Sequence, residues 1–307
     1  MKNSLNYEDN GIINFLRDSI NVYGISGNKT LEYIGITIKD RQVLPPKIYL
    51  IPAREMQSMP VWANKIWDMY FCNLKDIFDI TICDFSESKF DQTPSYRLVI
   101  KFKDSPSILQ MTYLEEKLSN FIGDGEKERL KRFLSIVQKY DNIDYSPLIQ
   151  IGIETDKEFH YVGIKYYLTL VTNPSVRPNI LPKTMDLIAE MQSPLKSKEQ
   201  VNFSILNNIE NCEYYPTFIG VNDSGKKYEC KLYYISGLYG RSFQNKVTSQ
   251  INDICDKLDL GQNIKAILEK SFEDMHLYPE GIAVSLYSSD IVRVYLKEIS
   301  PRLLNRS

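Results

Sequence analysis

The sequence predicts an α+β fold in which ten antiparallel β-strands close into a barrel and a ring of α-helices surrounds it. Three observations support this prediction. β-Hairpins recur five times, about every 60 residues of the 307-residue chain. Each strand carries apolar residues on one side and polar or cationic residues on the other, and the segments between hairpins have helical periodicity. Helices therefore cover the outside of a closed sheet, and its wet interior is wide enough for a ligand.

The elements follow one another in a regular order. Apolar residues recur every three to four positions in the helical segments, and glycines such as Gly24 mark their ends. Helices are predicted over 9–23, 56–78, two segments of 106–140 divided near Gly123, 183–192, 197–209, 242–258 and 262–275. Strict alternation and turn residues place the hairpin units at about 32–52, 80–103, 148–170, 216–236 and 281–298.

Composition restricts what this fold can bind. The 37 basic and 39 acidic residues leave a formal charge of −2, which argues against binding nucleic acid or an anionic membrane through bulk charge. Five scattered cysteines and two histidines argue against a zinc site or disulfide framework, and His160 and His276 are assigned structural roles. Without a run of about 18 apolar residues or a signal peptide, we expect a cytoplasmic protein.

The returning strand of each hairpin carries a repeated pair of residue types. A lysine or arginine is followed two positions later by a tyrosine in four hairpins: Lys47–Tyr49, Lys165–Tyr167, Lys231–Tyr233 and Arg293–Tyr295. In the second hairpin, Arg97 is followed by Val99 and then by Lys101. Because residues two apart in a strand point to the same side, we expect all of these side chains inside the barrel.

Cations on the inside of a barrel need a partner. A single copy of the pair would fit an exposed edge strand, where lysine and tyrosine are common. Five cations at equivalent positions would repel one another unless a polyanion neutralises them. Lysine and arginine form charge-assisted hydrogen bonds to phosphate, and tyrosine rings stabilise a nearby cation. An allylic diphosphate, which ionises to pyrophosphate and a carbocation, suits both residue types.

These features resemble the ABBA aromatic prenyltransferases, a family that includes the fungal dimethylallyltryptophan synthases and the cyanobactin peptide prenyltransferases. The resemblance covers the whole chain in architecture and is specific at KIY, IKYY, CKLYY and VRVYL. It implies a single PT-barrel domain over residues 1–307. It further implies diphosphate binding by Lys47, Arg97, Lys101, Lys165, Lys231 and Arg293. It implies that Tyr49, Tyr167, Tyr233 and Tyr295 shield the allylic cation and contact the diphosphate.

Two glutamates are candidates for the catalytic base. The indole-modifying members of the family use a glutamate of the first hairpin to take a proton from the acceptor. Glu32 is nearest in position, but alternation with Gly35 places it on the outer face unless a bulge intervenes. Glu154 has inward parity and is the first choice. A carboxylate held ionised among lysines is also a candidate ligand for magnesium.

The resemblance implies transfer of a dimethylallyl or geranyl group from an allylic diphosphate to an electron-rich aromatic acceptor. An indole-type small molecule is the first choice of acceptor, and a cyanobactin-type peptide is the alternative. We expect a monomer or weak dimer with no tightly bound cofactor, and the sequence leaves open whether Mg²⁺ takes part. The sequence contains no DDxxD motif, which argues against the metal-dependent mechanism of the helical isoprenoid synthases. The alternative from another class is a non-catalytic barrel that binds an anionic lipid or nucleotide, which would need the cations but not the tyrosines.

Overall fold

The computed structural model describes residues 7–24, 31–50, 61–88, 95–103, 106–140, 149–169, 214–225, 228–236, 243–285 and 291–299. The predicted helices over 183–192 and 197–209 lie outside these residues. None of the helices in the described part of the chain combines the length and the hydropathy that a membrane-crossing helix requires.

The described residues contain ten strands. These are β1 (Leu31–Lys39), β2 (Gln42–Leu50), β3 (Ile80–Ser88), β4 (Ser95–Phe102), β5 (Ile149–Thr155), β6 (Tyr161–Thr169), β7 (Tyr214–Asp223), β8 (Tyr228–Ser236), β9 (Leu277–Ser285) and β10 (Ile291–Glu298). All neighbours pair antiparallel, and β1 pairs with β10, so the sheet is a closed barrel in which each strand lies beside its neighbours in sequence. The predicted fold class is confirmed, and closure removes the exposed edges that an open sheet would have.

Helices surround the barrel. They are α1 (Tyr7–Tyr23), α2 (Val61–Ile66), α3 (Ile108–Leu118), α4 (Asp124–Tyr140), α5 (Phe243–Lys257) and α6 (Gln262–Met275) among the described residues. The prediction of one regular helix over 56–78 is wrong, because α2 continues as a π-helical turn at Trp67–Phe71 and a short 3₁₀ turn at Cys72–Leu74. Such a turn departs from ideal helical spacing, and Met69, which lies within it, is exposed.

The hydrophobic core lies between the helices and the outer face of the barrel. Leu16 of α1 and Ile267 of α6 are fully buried, as are Ile34, Leu98 and Leu232 on the outer faces of their strands. Burying a side chain of this size stabilises the fold by about 1.5–3 kcal/mol. Because successive side chains of a strand point to opposite faces, the residues between these buried positions face the barrel interior.

Two specific contacts hold the hairpin turns at one end of the barrel. Asp40 and Arg41 form the β1–β2 turn with φ of 50° and 60°, as a two-residue hairpin turn requires, and Arg41 pairs with Asp259 between α5 and α6. Arg129 of α4 donates from Nη2 to Oδ1 of Asp223 at 2.8 Å, at the end of β7. These contacts connect the helical layer to two of the hairpin turns.

Candidate active site

Two adjoining cavities lie inside the barrel, as far as the described residues define it. The first, of about 220 Å³, is lined by charged side chains and is called the polar chamber here; its lining residues include Lys47, Glu154, Lys165, Glu229, Lys231 and Arg293. The second, of about 290 Å³, is called the aromatic chamber, and its lining residues include Glu32, Tyr33, Tyr49, Phe218, Ile235 and Tyr295. Arg97, Tyr167 and Tyr233 line both chambers and therefore mark the boundary between them.

The chambers lie at opposite ends of the strands. Leu44 and Asn222 of the polar chamber stand close to the hairpin turns, at the start of β2 and the end of β7. Glu32 and Ile235 of the aromatic chamber stand at the other end, at the start of β1 and the end of β8. Charge and aromatic surface are therefore separated along the barrel axis.

The structure brings together five of the six cations that the sequence singled out. Lys47, Arg97, Lys165, Lys231 and Arg293 all line the polar chamber. Lys101 follows Arg97 on the same strand face but is not among the described residues that line either chamber. Lys101 pairs in register with Gln150, which lines the aromatic chamber, and its role in binding diphosphate stays a prediction.

Glycines lie opposite three of the cations, and they leave room for tyrosine rings. Gly35, Gly152 and Gly220 lie across the strand pairs from Lys47, Lys165 and Lys231, respectively. A Cβ atom added to Gly220 would stand 2.6 Å from Cε2 of Tyr233 and 2.8 Å from Cδ1 of Tyr167. The glycine therefore lets both tyrosine rings lie against the wall of the barrel. Their edge-to-face arrangement, with ring centroids 5.7 Å apart, depends on this space.

Glu154 stands among the cations of the polar chamber. Its Oε2 lies 2.6 Å from Nζ of Lys165, and its Oε1 lies 3.9 Å from Nζ of Lys47 and accepts a hydrogen bond from Ser95 at 3.1 Å. Burial opposes its ionisation, but the charges of Lys165, Lys47 and Arg97 hold the pKa of Glu154 far below its usual range. A carboxylate so strongly held as an anion is a weak proton acceptor.

A second carboxylate of the polar chamber was missed by the sequence analysis. Glu229 is buried, and its Oε2 lies 3.2 Å from Nζ of Lys231. Its position two residues before Lys231 on the same strand was the available signal. Five cations and two carboxylates therefore line the polar chamber among the described residues, which leaves a formal excess of three positive charges.

Burial and mutual repulsion weaken the protonation of the lysines. Burial lowers the pKa of Lys165 to about 8, and Arg97 and Lys47 add to this effect although Glu154 opposes it. Burial likewise lowers the pKa of Lys231 to about 8, with Arg293 adding to it and Glu229 opposing it. Both lysines are thus charged at neutral pH but close to losing their protons, and an anion that binds beside them stabilises the protonated form.

The two arginines connect the charged chamber to the tyrosines. Arg293 donates to Oγ1 of Thr37 at 2.7 Å and to the hydroxyl of Tyr49 at 2.8 Å. Arg97 donates to the hydroxyl of Tyr167 at 3.2 Å, and its guanidinium carbon lies 5.1 Å from the ring centroid of Tyr49. These hydrogen bonds fix the phenol ends of the rings at the boundary between the chambers.

Three of the four predicted tyrosines, Tyr49, Tyr233 and Tyr295, differ electrostatically. Burial alone would raise the pKa of Tyr49, but the charges of Arg293, Arg97 and Lys47 lower it to about 8. Burial raises the pKa of Tyr233 and of Tyr295 above the usual value for tyrosine. Tyr49 therefore belongs electrostatically with the polar chamber, whereas the other two remain neutral phenols.

A connected group of aromatic rings lines the aromatic chamber. Tyr295 makes ring contacts with Tyr49, Tyr33 and Tyr233 at centroid distances of 5.4, 5.9 and 6.2 Å. Tyr33 was not singled out in the sequence, although it lies two residues before Gly35 and shares its inward parity. The rings present π-electron density to the space between them, which attracts a positively charged group.

Glu32 is among the residues that line the aromatic chamber, although regular alternation with Gly35 would place it on the outer face. An irregularity in the β1–β2 register between Leu31 and Tyr33 accounts for this position. Such a bulge reorients the side chains beside it, as the sequence analysis required for an inward Glu32. Glu154 lines the polar chamber but is not among the described residues of the aromatic chamber.

The histidines and the described cysteines lie apart from both chambers. His160 is exposed in the β5–β6 turn, where its Nδ1 lies 3.2 Å from Oδ2 of Asp156, and His276 ends α6 with φ of 54°. Burial raises the pKa of Cys230 to about 12, so its thiol is unreactive at neutral pH. The structural roles assigned to the histidines stay a prediction.

Comparison with known proteins yields a likeness in structure. No protein-family model and no curated protein sequence matches the chain. Among solved structures, AnaPT from Neosartorya fischeri matches with a TM-score of 0.52 and 12% sequence identity, over 87% of this chain and 78% of that chain. At this level of identity, the match concerns the fold, which both chains share.

We expect Lys231→Ala to weaken the binding of inorganic pyrophosphate by roughly 10- to 100-fold, because a charge-assisted contact inside the chamber is lost. Isothermal titration calorimetry measures this effect. Lys101→Ala is the matched control, since it removes the same charge outside the polar chamber, and we expect a change within about twofold. Equal losses in the two variants would contradict the assignment of the polar chamber as the anion site.

We expect the affinity for a non-reactive dimethylallyl thiolodiphosphate to fall as the pH rises from about 7 to about 9. Over this range Lys165 and Lys231 lose positive charge through a pKa of about 8, and Tyr49 gains negative charge, so all three changes oppose anion binding. The double variant Lys165→Arg/Lys231→Arg should flatten the profile because arginine stays protonated. An equally steep profile in that variant would show that other groups cause the pH dependence.

Proposed function

We propose that this protein is an aromatic prenyltransferase, which moves a dimethylallyl or geranyl group from an allylic diphosphate to an electron-rich aromatic acceptor. The observation that carries the proposal is the direct junction of a cation-lined chamber with a tyrosine-lined chamber inside a closed barrel. The likeness to AnaPT concerns the fold, and it accords with this proposal.

The polar chamber suits the diphosphate. An allylic diphosphate carries roughly three negative charges at neutral pH, which matches the formal excess of three positive charges on the described lining residues. Lys47, Lys165 and Lys231 would hold the phosphate oxygens, and their charges stabilise the negative charge that develops as the carbon–oxygen bond breaks. Arg97 and Arg293 would bind at the side that faces the tyrosines.

The aromatic chamber suits the prenyl group and its cation. A diphosphate in the polar chamber would place the first prenyl carbon beside Arg97, Tyr167 and Tyr233, which line both cavities. The faces of Tyr233 and Tyr295 stabilise positive charge on the allyl group without supplying a strong nucleophile, since both phenols stay neutral. The apolar walls limit water that would otherwise quench the cation.

The acceptor would enter the aromatic chamber and complete the reaction there. One of its aromatic carbons forms a bond to the first prenyl carbon as the bond between that carbon and the diphosphate oxygen breaks, and pyrophosphate leaves. The alkylated ring then loses a proton and recovers its aromaticity. We assign that proton to Glu32, because Glu32 lines the aromatic chamber whereas Glu154 is held ionised by lysines in the other chamber.

No resident cofactor is needed for this mechanism. Glu154 and Glu229 are the carboxylates among the described residues of the polar chamber, and each already contacts a lysine. A magnesium ion bound to either glutamate would have to displace Lys165 or Lys231, so the lining residues do not fit a resident metal site. We propose that lysine and arginine compensate the diphosphate charge directly.

The acceptor that best suits the chamber is an indole-type small molecule. A cavity of about 290 Å³ lined mainly by rings accommodates a flat aromatic group, and Glu32 can accept a hydrogen bond from an indole nitrogen. A cyanobactin-type peptide remains the second candidate, with only its aromatic side chain entering the chamber. We propose a cytoplasmic monomer or weak dimer.

The direct test is incubation of the protein with dimethylallyl or geranyl diphosphate and a panel of indole, tyrosine-type and peptide acceptors, with product analysis by mass spectrometry. We expect one acceptor class to gain the mass of a prenyl group. Pyrophosphate binding without transfer or slow hydrolysis would contradict the enzyme and favour the non-catalytic barrel that binds an anionic ligand.

In the same assay, Glu32→Gln should lower the turnover number by about tenfold or more while leaving the affinity for the thiolodiphosphate unchanged, because it removes a proton acceptor from the acceptor side alone. Unchanged turnover in this variant would show that another group accepts the proton. A loss of affinity for the thiolodiphosphate would show that Glu32 acts on the diphosphate and would contradict its assignment to the acceptor side.

A further inference from the structure

The polar chamber contains anions of its own, although its proposed ligand is an anion. Glu154 and Glu229 both point into it, and their side chains are 14% and 8% exposed. Carboxylates at a diphosphate site lower its affinity for the ligand through repulsion. Their presence therefore needs a reason other than diphosphate binding itself.

The donors around Glu154 are groups that would suit a phosphate equally well. Lys165 and Lys47 approach its two oxygens, Ser95 donates a hydroxyl, and Arg97 lies directly opposite across the β4–β5 pair. Lysine, serine and arginine are standard phosphate-binding side chains. The carboxylate of Glu154 thus occupies a position where phosphate oxygens would find these same donors.

The contact with Lys47 extends this arrangement around the barrel. Glu154 belongs to β5 and Lys47 to β2, and β3 and β4 lie between these strands in the sheet order. Glu229 pairs with Lys231 two residues further along β8. The carboxylates therefore hold cations from several strands in place while no ligand is bound, and reduce the repulsion among them.

We propose that Glu154, assisted by Glu229, is an internal counter-ion that the diphosphate replaces when it binds. This inference rests on the proposed function, because it assumes that a diphosphate enters the polar chamber. On binding, Lys165 and Lys47 exchange the carboxylate for phosphate oxygens; on release, the carboxylate takes the lysines back. Glu154 therefore weakens binding of the product pyrophosphate and favours its departure. No proton is transferred and no covalent bond changes in this exchange.

Three roles for Glu154 predict different changes in pyrophosphate affinity when its carboxylate is removed. Removing a catalytic base would lower turnover and leave pyrophosphate affinity unchanged. Removing a group needed only for the fold would weaken binding through disorder of the chamber. Removing an internal counter-ion tightens pyrophosphate binding, because the ligand no longer competes with a fixed negative charge.

The test is calorimetric titration of the full chain with inorganic pyrophosphate at about pH 7, where the lysines are protonated. Glu154→Gln keeps the shape and hydrogen-bonding oxygen of the side chain and removes its charge. We expect its dissociation constant to be lower than that of the wild type by about fivefold or more. Glu116→Gln, on the exposed side of α3, removes the same charge from the surface, and we expect a change within about twofold.

Pyrophosphate affinity in Glu154→Gln that equals or falls below the wild-type value would overturn the proposal. Thermal unfolding confirms that the variant is folded; should it not fold, Glu229→Gln removes the second counter-ion and must tighten binding in the same direction. The transfer assay separates this inference from the proposed function. Tighter pyrophosphate binding by Glu154→Gln without prenyl transfer by the wild type would support the counter-ion role and refute the transferase. Prenyl transfer by the wild type with unchanged pyrophosphate affinity in Glu154→Gln would support the transferase and refute the counter-ion role.

Discussion

Confining several cations inside a closed barrel is the constraint on which the rest of this structure depends. Two unit charges about 5–6 Å apart repel each other by about 3 kcal/mol at an effective dielectric constant near 20. The hydrophobic core outside the sheet has to offset this repulsion energy, and groups inside the barrel have to reduce it. Glu154 and Glu229 supply negative charge, and tyrosine hydroxyls accept hydrogen bonds from Arg97 and Arg293. Glycines on neighbouring strands provide the space that these groups need.

The same arrangement separates two environments that the proposed reaction requires side by side. Charge is concentrated towards the hairpin turns, and aromatic surface lies towards the opposite end. Tyr49 connects the two environments, since its ring contacts Tyr295 in the aromatic chamber while its hydroxyl accepts a hydrogen bond from Arg293 of the polar chamber. A leaving group that carries negative charge and a carbon fragment that carries positive charge can therefore be stabilised by different surfaces of one lumen.

Much of this arrangement was predictable from the sequence because a strand has a period of two residues. That rule identified the interior faces at Lys47, Lys165, Lys231 and Arg293, and the fold followed from the repetition of hairpins and helices. The rule failed where the backbone departs from regular pairing, as at the register shift between Leu31 and Tyr33, beside which Glu32 lines the aromatic chamber. It also could not show that Glu154 contacts Lys47, since this contact joins strands that are not neighbours in the sheet.

The central claim is that one ligand occupies both chambers, with its diphosphate among the lysines and its prenyl group among the tyrosines. The most direct measurement is a crystal structure of the protein with dimethylallyl thiolodiphosphate. We predict that the phosphate oxygens contact Lys47, Lys165 and Lys231, and that the prenyl carbons lie against Tyr233 and Tyr295. A diphosphate bound outside the polar chamber, or a prenyl group directed away from the aromatic chamber, would contradict the account.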